Sequence, residues 1–141
     1  MSARIGLAET REDVARCYAV MAELRPHLEL AAFAEQVGRQ QAEGYRLAFL
    51  EDGGAVQACA GYRIMENLIW GRFLYVDDLV TASAARSRGF GAELFHWLKD
   101  QARAAGCGRL HLDSGVQRFA AHRFYLRERM EITAHHFGLK L

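Results

Sequence analysis

The stretch from Phe73 to Ala105 constrains the fold more than any other part of this 141-residue chain. Its first part, Phe73–Thr81, is rich in β-branched, aromatic and aliphatic residues, which is typical of a strand buried on both faces. From Gly89 the apolar period changes to that of a helix, and Gly106 stands where a helix end favours a left-handed residue. The sequence therefore predicts a strand that passes through a short turn into a helix.

The turn between this strand and helix is predicted to bind phosphate. The first turn of a helix has backbone N–H groups without intrahelical acceptors, and the peptide dipoles add partial positive charge there. Gly89 and Gly91 have no Cβ atom to keep an anion away from these donors, and Arg86 and Arg88 add charge. The Walker pattern is excluded because no Gly-Lys-Ser/Thr closes the turn, and the dinucleotide fingerprint because Leu94 replaces its third glycine.

The remaining segments predict a mixed α/β domain around this unit. The helix between the two strands makes a βαβ crossover, so the strand before it and the strand after it should be parallel. Apolar spacing and stop residues give the other elements. They are a first strand within Met1–Glu9, a helix capped by Thr10 and ended by Pro26, a helix over Leu30–Glu43, hairpin strands Tyr45–Leu50 and Ala55–Ile64, a connection over Met65–Gly71, a strand over Arg109–Asp113, a helix over Gln117–Arg129, and one or two closing strands within Ile132–Leu141.

Composition narrows the class of protein and of partner. With 51% hydrophobic residues the chain is able to bury the core of one domain, expected over residues 1–141. A net charge of +1 argues against a nucleic-acid footprint, so the expected partner is small. No segment is long and apolar enough for a bilayer or a signal peptide, and a cytoplasmic location is expected with no membrane partner. The oligomeric state stays open, a homodimer included.

Cysteine and histidine patterns give no metal or disulfide site. The three cysteines form an odd set without a C-x-x-C spacing and are expected to be core thiols. None of the six histidines stands in a His-Glu-x-x-His pattern. His135 and His136 alternate along the presumed last strand, and His111 is expected to be a satisfied core residue.

The phosphate turn resembles motif A of the GNAT family of N-acetyltransferases. That pattern, Arg/Gln-x-x-Gly-x-Gly/Ala after a strand, is met by Arg86, Gly89 and Gly91. The order of elements agrees from about residue 1 to the C-terminus, and Phe124-Tyr125 falls on the later helix where the family has such a pair. The resemblance implies a mixed central sheet, splayed between its two parallel strands, with helices on both faces. It also implies direct acetyl transfer from acetyl-CoA to a primary amine of a small molecule or peptide, without an acyl-enzyme; no metal is expected, because the histidine spacing offers no ligand set.

The same resemblance implies where the coenzyme binds. Its pantetheine arm would pair with the backbone at the end of the central strand, and its phosphates would lie at the turn. The implied contacts are Leu79, Val80, Thr81, Arg86, Ser87, Arg88, Gly89, Phe90, Gly91, Ala92, Ser114, His122 and Phe124.

Asp77 and Asp78 are adjacent carboxylates within an otherwise apolar strand, and either one is a candidate base for the acceptor amine. An alkylamine has a pKa of about 10 and is mostly protonated at neutral pH, and a carboxylate is able to accept its proton, directly or through water. Alternation puts the two on opposite faces unless a bulge intervenes. The family resemblance favours Asp77, and the alternative is a structural carboxylate that binds loop N–H groups.

Tyr125 is the candidate acid for the departing thiolate. A phenol with a pKa of about 10 is able to protonate a thiolate, and the family resemblance implies this role for a tyrosine at this point. The alternative is a half-buried aromatic with its hydroxyl in water. Residues 127–130, Arg-Glu-Arg-Met, depart from the family, which commonly has a glycine and an aromatic here.

A non-catalytic acyl-CoA-binding sensor or regulatory subunit is the rival function, with the apolar loop Leu68–Trp70 as its contact surface. Binding alone does not require the two aspartates and the tyrosine, which favours the enzyme. The segment Glu23–Leu30 is expected to line the acceptor side. Its Glu23, His27 and Glu29 are compatible with binding of a cationic amine. The same residues are equally typical of a solvated connection between two helices.

Overall fold

The structure, a computed structural model, describes residues 3–141 and has the predicted α/β organisation. The strands form one sheet in the order β1-β2-β3-β4-β5, antiparallel up to β4 and parallel between β4 and β5. The elements are β1 (Arg4–Leu7), α1 (Arg11–Leu24), α2 (Leu30–Ala42), β2 (Arg46–Asp52), β3 (Ala55–Asn67), β4 (Gly71–Thr81), a 3₁₀ turn (Ser83–Ala85), α3 (Phe90–Ala104), β5 (Arg109–Leu112) and α4 (Phe119–Arg127).

The chain divides into two compact units, with the boundary between His111 and Leu112. The first holds nearly the whole sheet with α1, α2 and α3, and the second holds α4 and the C-terminal segment. The expectation of a single domain over residues 1–141 stays a prediction.

The predicted helix boundaries follow from local chemistry. The hydroxyl oxygen of Thr10 accepts a hydrogen bond from the Asp13 amide at 3.1 Å, which satisfies one free donor at the start of α1. Gly44 and Gly106 follow α2 and α3 with φ of +100° and +76°, a region that favours glycine. Both stop signals are thereby confirmed.

Side-chain alternation covers the sheet with helices on both faces, as predicted. Leu47, Phe49 and Cys59 belong to one buried cluster with residues of α1 and α2. Tyr62, three positions after Cys59 and therefore on the opposite face, meets Trp97 of α3 edge-on, with ring centroids 6.0 Å apart. The sheet thus has an α1/α2 face and an α3 face.

A bulge interrupts this alternation in β4. Gly61 pairs with Asp78, whereas the next residue of β3, Tyr62, pairs with Val76. Asp77 is therefore an extra residue that faces no partner of its own in β3. A bulge of this kind bends the strand and resets the direction of the side chains around it.

The prediction of a connection over Met65–Gly71 is wrong in length, because the observed connection is shorter. β3 and β4 continue as paired strands as far as Asn67 and Gly71, so only residues 68–70 connect them. The Asn67 side chain accepts a hydrogen bond from the Trp70 amide at 2.8 Å, and Gly71 has φ of +67°. These two features close a tight hairpin that apolar composition alone did not indicate.

The closing strands predicted within Ile132–Leu141 are also wrong for the described residues. No strand is assigned after α4, and Ile132, Phe137, Leu139 and Leu141 are exposed. An alternating apolar pattern becomes a strand only where a neighbouring strand supplies hydrogen bonds, and this segment pairs with no strand in residues 3–141.

Gly61 lies beside the bulge at a close approach of side chains. A Cβ atom built there would overlap the hydroxyl of Tyr45 and lie 2.6 Å from Asp78 Oδ2. Glycine at this position therefore leaves room for Tyr45 and Asp78 to meet.

Replacing Gly61 should consequently destabilise the protein. We expect Gly61→Ala to lower the free energy of unfolding by about 1–3 kcal/mol, because the added methyl must displace buried neighbours. Gly38→Ala is the control, since no atom lies within 4 Å of its Cβ position and alanine is favoured inside α2 by about 0.5–1 kcal/mol. Urea unfolding of both variants measures the difference, and equal effects would contradict this role of Gly61.

Candidate functional site

A cavity of about 530 Å³ lies on the α1/α2 face of the sheet. Asp77 and Asp78 both line it, together with Arg25, Arg63 and Tyr45. The bulge explains why two adjacent strand residues reach the same cavity, which regular alternation would forbid. A concave site of this size with a few converging charged groups has the form of a small-molecule site.

Asp78 is held by both of its carboxylate oxygens. Its Oδ2 accepts a hydrogen bond from the Tyr45 hydroxyl at 2.7 Å, and its Oδ1 accepts one from Arg25 Nε at 3.1 Å. Burial raises the pKa of Tyr45, and the Asp78 carboxylate raises it further, so the phenol remains a donor at neutral pH. These contacts fit the structural alternative for Asp78.

Asp77 is held on one side only. Its Oδ2 accepts a hydrogen bond from Arg63 Nε at 2.9 Å, while its Oδ1 accepts none from the described residues. Burial raises the pKa of Asp77 above the ordinary 3.8, and the Arg63 guanidinium opposes part of that rise. A carboxylate with a raised pKa and one open oxygen in a cavity suits a proton acceptor.

Arg25 ties the end of α1 to the bulge. It is the C-cap residue of α1, and its Nη2 donates to the backbone carbonyl of Asp77 at 3.1 Å besides contacting Asp78. The segment Glu23–Leu30 does line the cavity, through Arg25, His27 and Leu28.

The two glutamates expected there do not line the cavity. Glu23 instead accepts a hydrogen bond from the Ser83 amide at 2.9 Å, and Glu29 occupies the N-cap position of α2. The cationic wall formed by Arg25 and Arg63 was missed. A usable signal for Arg63 was its place in the hairpin strand beside β4, two residues after Gly61, the partner of Asp78.

The predicted phosphate turn has the required backbone geometry. Gly89 is the N-cap of α3 with φ of +81°, and no atom lies within 4 Å of its Cβ position. Its carbonyl accepts the Glu93 amide at 3.0 Å, which leaves the N–H groups of residues 90–92 without an intrahelical acceptor. Ser87 also has a positive φ, of 68°, and this completes the compact turn.

The two arginines of the turn differ in their engagement. Arg88 pairs with Asp52 at 2.9 Å and lies over the Phe90 ring at 4.6 Å from its centroid. Arg86 is exposed beside it. Arg88 therefore stabilises the turn through these contacts, while the Arg86 charge faces solvent.

The end of β4 extends beyond β5. β5 begins beside Arg72, where the Gly108 amide donates to the Arg72 carbonyl at 3.0 Å, and it is only four residues long. Leu79, Val80 and Thr81 pair with β3 on one side and lie beyond the reach of β5 on the other. Their backbone thus presents an edge to which an extended ligand is able to bind.

In the second unit, Tyr125 lies on α4 and is half-buried, with its ring centroid 5.6 Å from that of Phe124. Burial raises the pKa of Tyr125, and the positive charge of Arg118 opposes that rise, so the phenol is protonated at neutral pH. His122 Nε2 is 2.8 Å from the Gly115 carbonyl oxygen, and the buried Ser114 hydroxyl has no hydrogen-bond partner among the described residues.

Residues 7–129 match the model of the Acetyltransferase (GNAT) family. The chain belongs to this family. The match confirms the predicted N-acetyltransferase class, and it covers strands β2 to β5, the phosphate turn and α4.

Two curated relatives and a solved structure agree with this assignment. The uncharacterized N-acetyltransferase YhdJ of Bacillus subtilis is 37% identical over 117 residues, 82% of each chain. The aminoalkylphosphonate N-acetyltransferase of Salmonella typhimurium is 30% identical over 124 residues, 84% of this chain and 79% of that one. The structure of AAC(6')-Iy in complex with a CoA-containing bisubstrate analogue superposes with a TM-score of 0.85 over 100% of this chain and 99% of that one, at 14% identity, and shows the shared fold.

Within residues 3–141, no helix has the length and apolarity needed to cross a membrane. Over the same described range, no three metal-binding side chains cluster together.

The raised pKa of Asp77 predicts how the free energy of unfolding changes with pH. A carboxyl group that protonates more readily in the folded state contributes most below its ordinary pKa of 3.8, and that contribution is lost as pH rises through the folded pKa. We therefore expect the unfolding free energy of Asp77→Asn minus that of the parent to increase from about pH 3 to about pH 7. Urea unfolding across pH checks this, with Asp100→Asn as the exposed control. A constant or shrinking difference would contradict it.

Proposed function

We propose that this GNAT enzyme transfers an acetyl group directly from acetyl-CoA to a primary amine of a small molecule or peptide. The observation that carries the proposal is the bulge in β4, because it brings Asp77 and Asp78 to one cavity on the α1/α2 face. Coenzyme binding alone would not need two carboxylates at that position, and the family identity supports catalysis over a purely regulatory role.

The coenzyme side of the proposal rests on the phosphate turn and the end of β4. The N–H groups of residues 90–92 would donate to the pyrophosphate, and the open Cβ position of Gly89 leaves room for its close approach. The free edge of Leu79–Thr81 would hydrogen-bond the pantetheine amides. The CoA conjugate bound to AAC(6')-Iy supports a coenzyme of this type.

The acceptor side rests on Asp77. A protonated amine has no lone pair, so it must lose its extra proton before its nitrogen bonds to the acetyl carbon. The carbon–sulfur bond then breaks, and the nitrogen loses a second proton, which balances the proton gained by the departing thiolate. Asp77 Oδ1, which accepts no hydrogen bond from the described residues, would take the first of these protons directly or through water. Asp78, bound by Tyr45 and Arg25, would hold the bulge in place.

Tyr125 would return a proton to the departing thiolate. The raised pKa of Tyr125 keeps its phenol protonated at neutral pH, which is the form that an acid requires. The acceptor named for the Salmonella typhimurium relative, an aminoalkylphosphonate, is a small amine and supports an acceptor of that size.

The function is tested by incubating the protein with acetyl-CoA and a panel of amines and peptides. Thiol release that depends on the amine, together with an acetylated product in the mass spectrum, is expected for at least one small amine. Binding of the coenzyme with no amine-dependent release across the panel would favour the regulatory alternative.

Changing Gly91 tests the phosphate turn. We expect Gly91→Asp to abolish coenzyme A binding while the protein stays folded, because a carboxylate in the first turn of α3 would block and repel the pyrophosphate. Gly38→Asp adds the same charge inside α2, where no atom lies within 4 Å of the Cβ position, and should bind normally. Isothermal titration calorimetry compares the two, and parental affinity in folded Gly91→Asp would refute this coenzyme site.

Removing the Tyr125 hydroxyl tests the acid. Tyr125→Phe should lower turnover by about 10² to 10⁴, because a lost general acid has that effect. Its affinity for acetyl-CoA should change little, because the ring is kept. Steady-state thiol release is compared with direct binding of acetyl-CoA. Near-parental turnover would return Tyr125 to a packing role.

A further inference from the structure

Among the four charged side chains that line the cavity, unused hydrogen-bond donors outnumber unused acceptors. Asp78 has both carboxylate oxygens engaged, and Asp77 has one engaged, so the pair of carboxylates offers the single open oxygen Oδ1 of Asp77. A second positive charge on an acceptor would thus find no open carboxylate oxygen on this pair.

Arg63 supplies two of the unused donors. Its Nε donates to Asp77, while Nη1 and Nη2 form no hydrogen bond with the described residues. Its guanidinium carbon lies over the Tyr45 ring, 5.4 Å from the centroid, and its side chain is only 26% exposed. The contacts with Asp77 and Tyr45 fix the plane of the guanidinium, so the two free nitrogens are already oriented before a ligand arrives.

Arg25 supplies a third donor. Its Nε and Nη2 are engaged at the bulge, whereas Nη1 forms no hydrogen bond with the described residues. Gln36 and Gln40, which also line the cavity, are hydrogen-bonded to each other at 3.0 Å. This bond leaves Gln36 Oε1 and Gln40 Nε2 unused, and the charged atoms that remain available to a ligand are the guanidinium nitrogens of Arg25 and Arg63 and Oδ1 of Asp77.

We propose that the acceptor carries an anionic group a short chain away from its amine, and that Arg63 binds this anion while the amine lies at Asp77. The anion is a carboxylate, sulfonate or phosphonate, all of which accept paired hydrogen bonds from a planar guanidinium. This inference rests on the proposed function and names its acceptor class.

The spacing follows from the Asp77–Arg63 pair. Oδ2 of Asp77 and Nε of Arg63 are 2.9 Å apart. The unused Oδ1 of Asp77 and the unused Nη1 and Nη2 of Arg63 therefore belong to the two partners of one ion pair. A ligand with its amine at Asp77 Oδ1 and its anion at the Nη atoms of Arg63 needs only a short linker between the two groups. A polycation, by contrast, would place its extra charge against Arg63 and Arg25 and leave their donors unsatisfied in a partly desolvated cavity.

Matched amines test the acceptor class in the parent enzyme. Ethanolamine and putrescine are compared with β-alanine, taurine and 2-aminoethylphosphonate, all at saturating acetyl-CoA, by amine-dependent thiol release. We expect kcat/KM for at least one anionic amine to exceed that for ethanolamine and for putrescine by about tenfold to a hundredfold, as a charge-assisted pair would give. The best of the three anions identifies the preferred head group.

Variants of Arg63 separate anion binding from its contact with Asp77. Arg63→Gln should lower the ratio of kcat/KM for the best anionic amine to that for ethanolamine by about tenfold or more. If the substitution also changes proton acceptance by Asp77, it changes kcat/KM for both amines by the same factor, and this factor cancels in the ratio. Arg63→Lys should keep part of the ratio, and Arg46→Gln, an exposed arginine of β2 outside the cavity, should keep all of it.

The outcomes distinguish the inference from the function on which it rests. Equal or better use of ethanolamine or putrescine by the parent enzyme overturns the anionic class and leaves the acetyltransferase in place. An unchanged acceptor ratio in Arg63→Gln overturns the assignment to Arg63. If Arg63→Gln does not fold, the parent ratios and Arg63→Lys decide. Absence of transfer to every amine overturns both proposals.

Discussion

The extra residue at Asp77 is the constraint on which the candidate site depends. Without it, alternation would direct Asp77 or Asp78 to the α3 face, where the packing is apolar. Arg25 binds the carbonyl of Asp77 and the carboxylate of Asp78, and thereby ties the bulge to the end of α1. Gly61 leaves the space that Tyr45 needs to reach Asp78. The site therefore depends on contacts between the sheet and the α1/α2 layer.

The electrostatics of the cavity divide the roles of the two carboxylates. A buried carboxylate is costly unless it is paired, and each of these has an arginine partner. Asp78 has no further oxygen to offer, which suits a positioning residue. Asp77 keeps one open oxygen and a raised pKa, and its partner Arg63 keeps two open nitrogens. Proton acceptance and anion binding would then share one ion pair.

Sequence reasoning located the parts of the structure that local chemistry determines. The glycine-containing turn, the Thr10 cap and the glycine stops follow from backbone preferences, and the structure confirms their geometry. The sequence left open whether a bulge places Asp77 and Asp78 on one face, because the register of β4 depends on its partner strand. Arg25 was missed because it approaches Asp78 from 53 residues away in sequence, and the tail beyond α4 was misread because a strand pattern does not itself supply a partner.

The pH dependence of kcat/KM for the amine, measured for the parent, Asp77→Asn and Asp78→Asn, tests the central claim most directly. Asp77→Asn should lose activity at neutral pH and recover part of it at high pH, where more of the amine is already unprotonated. Asp78→Asn, which can still accept the Tyr45 hydrogen bond, should keep the parental shape of the profile. A parental profile in Asp77→Asn, or the loss and recovery in Asp78→Asn alone, would contradict the assignment of Asp77 as the base.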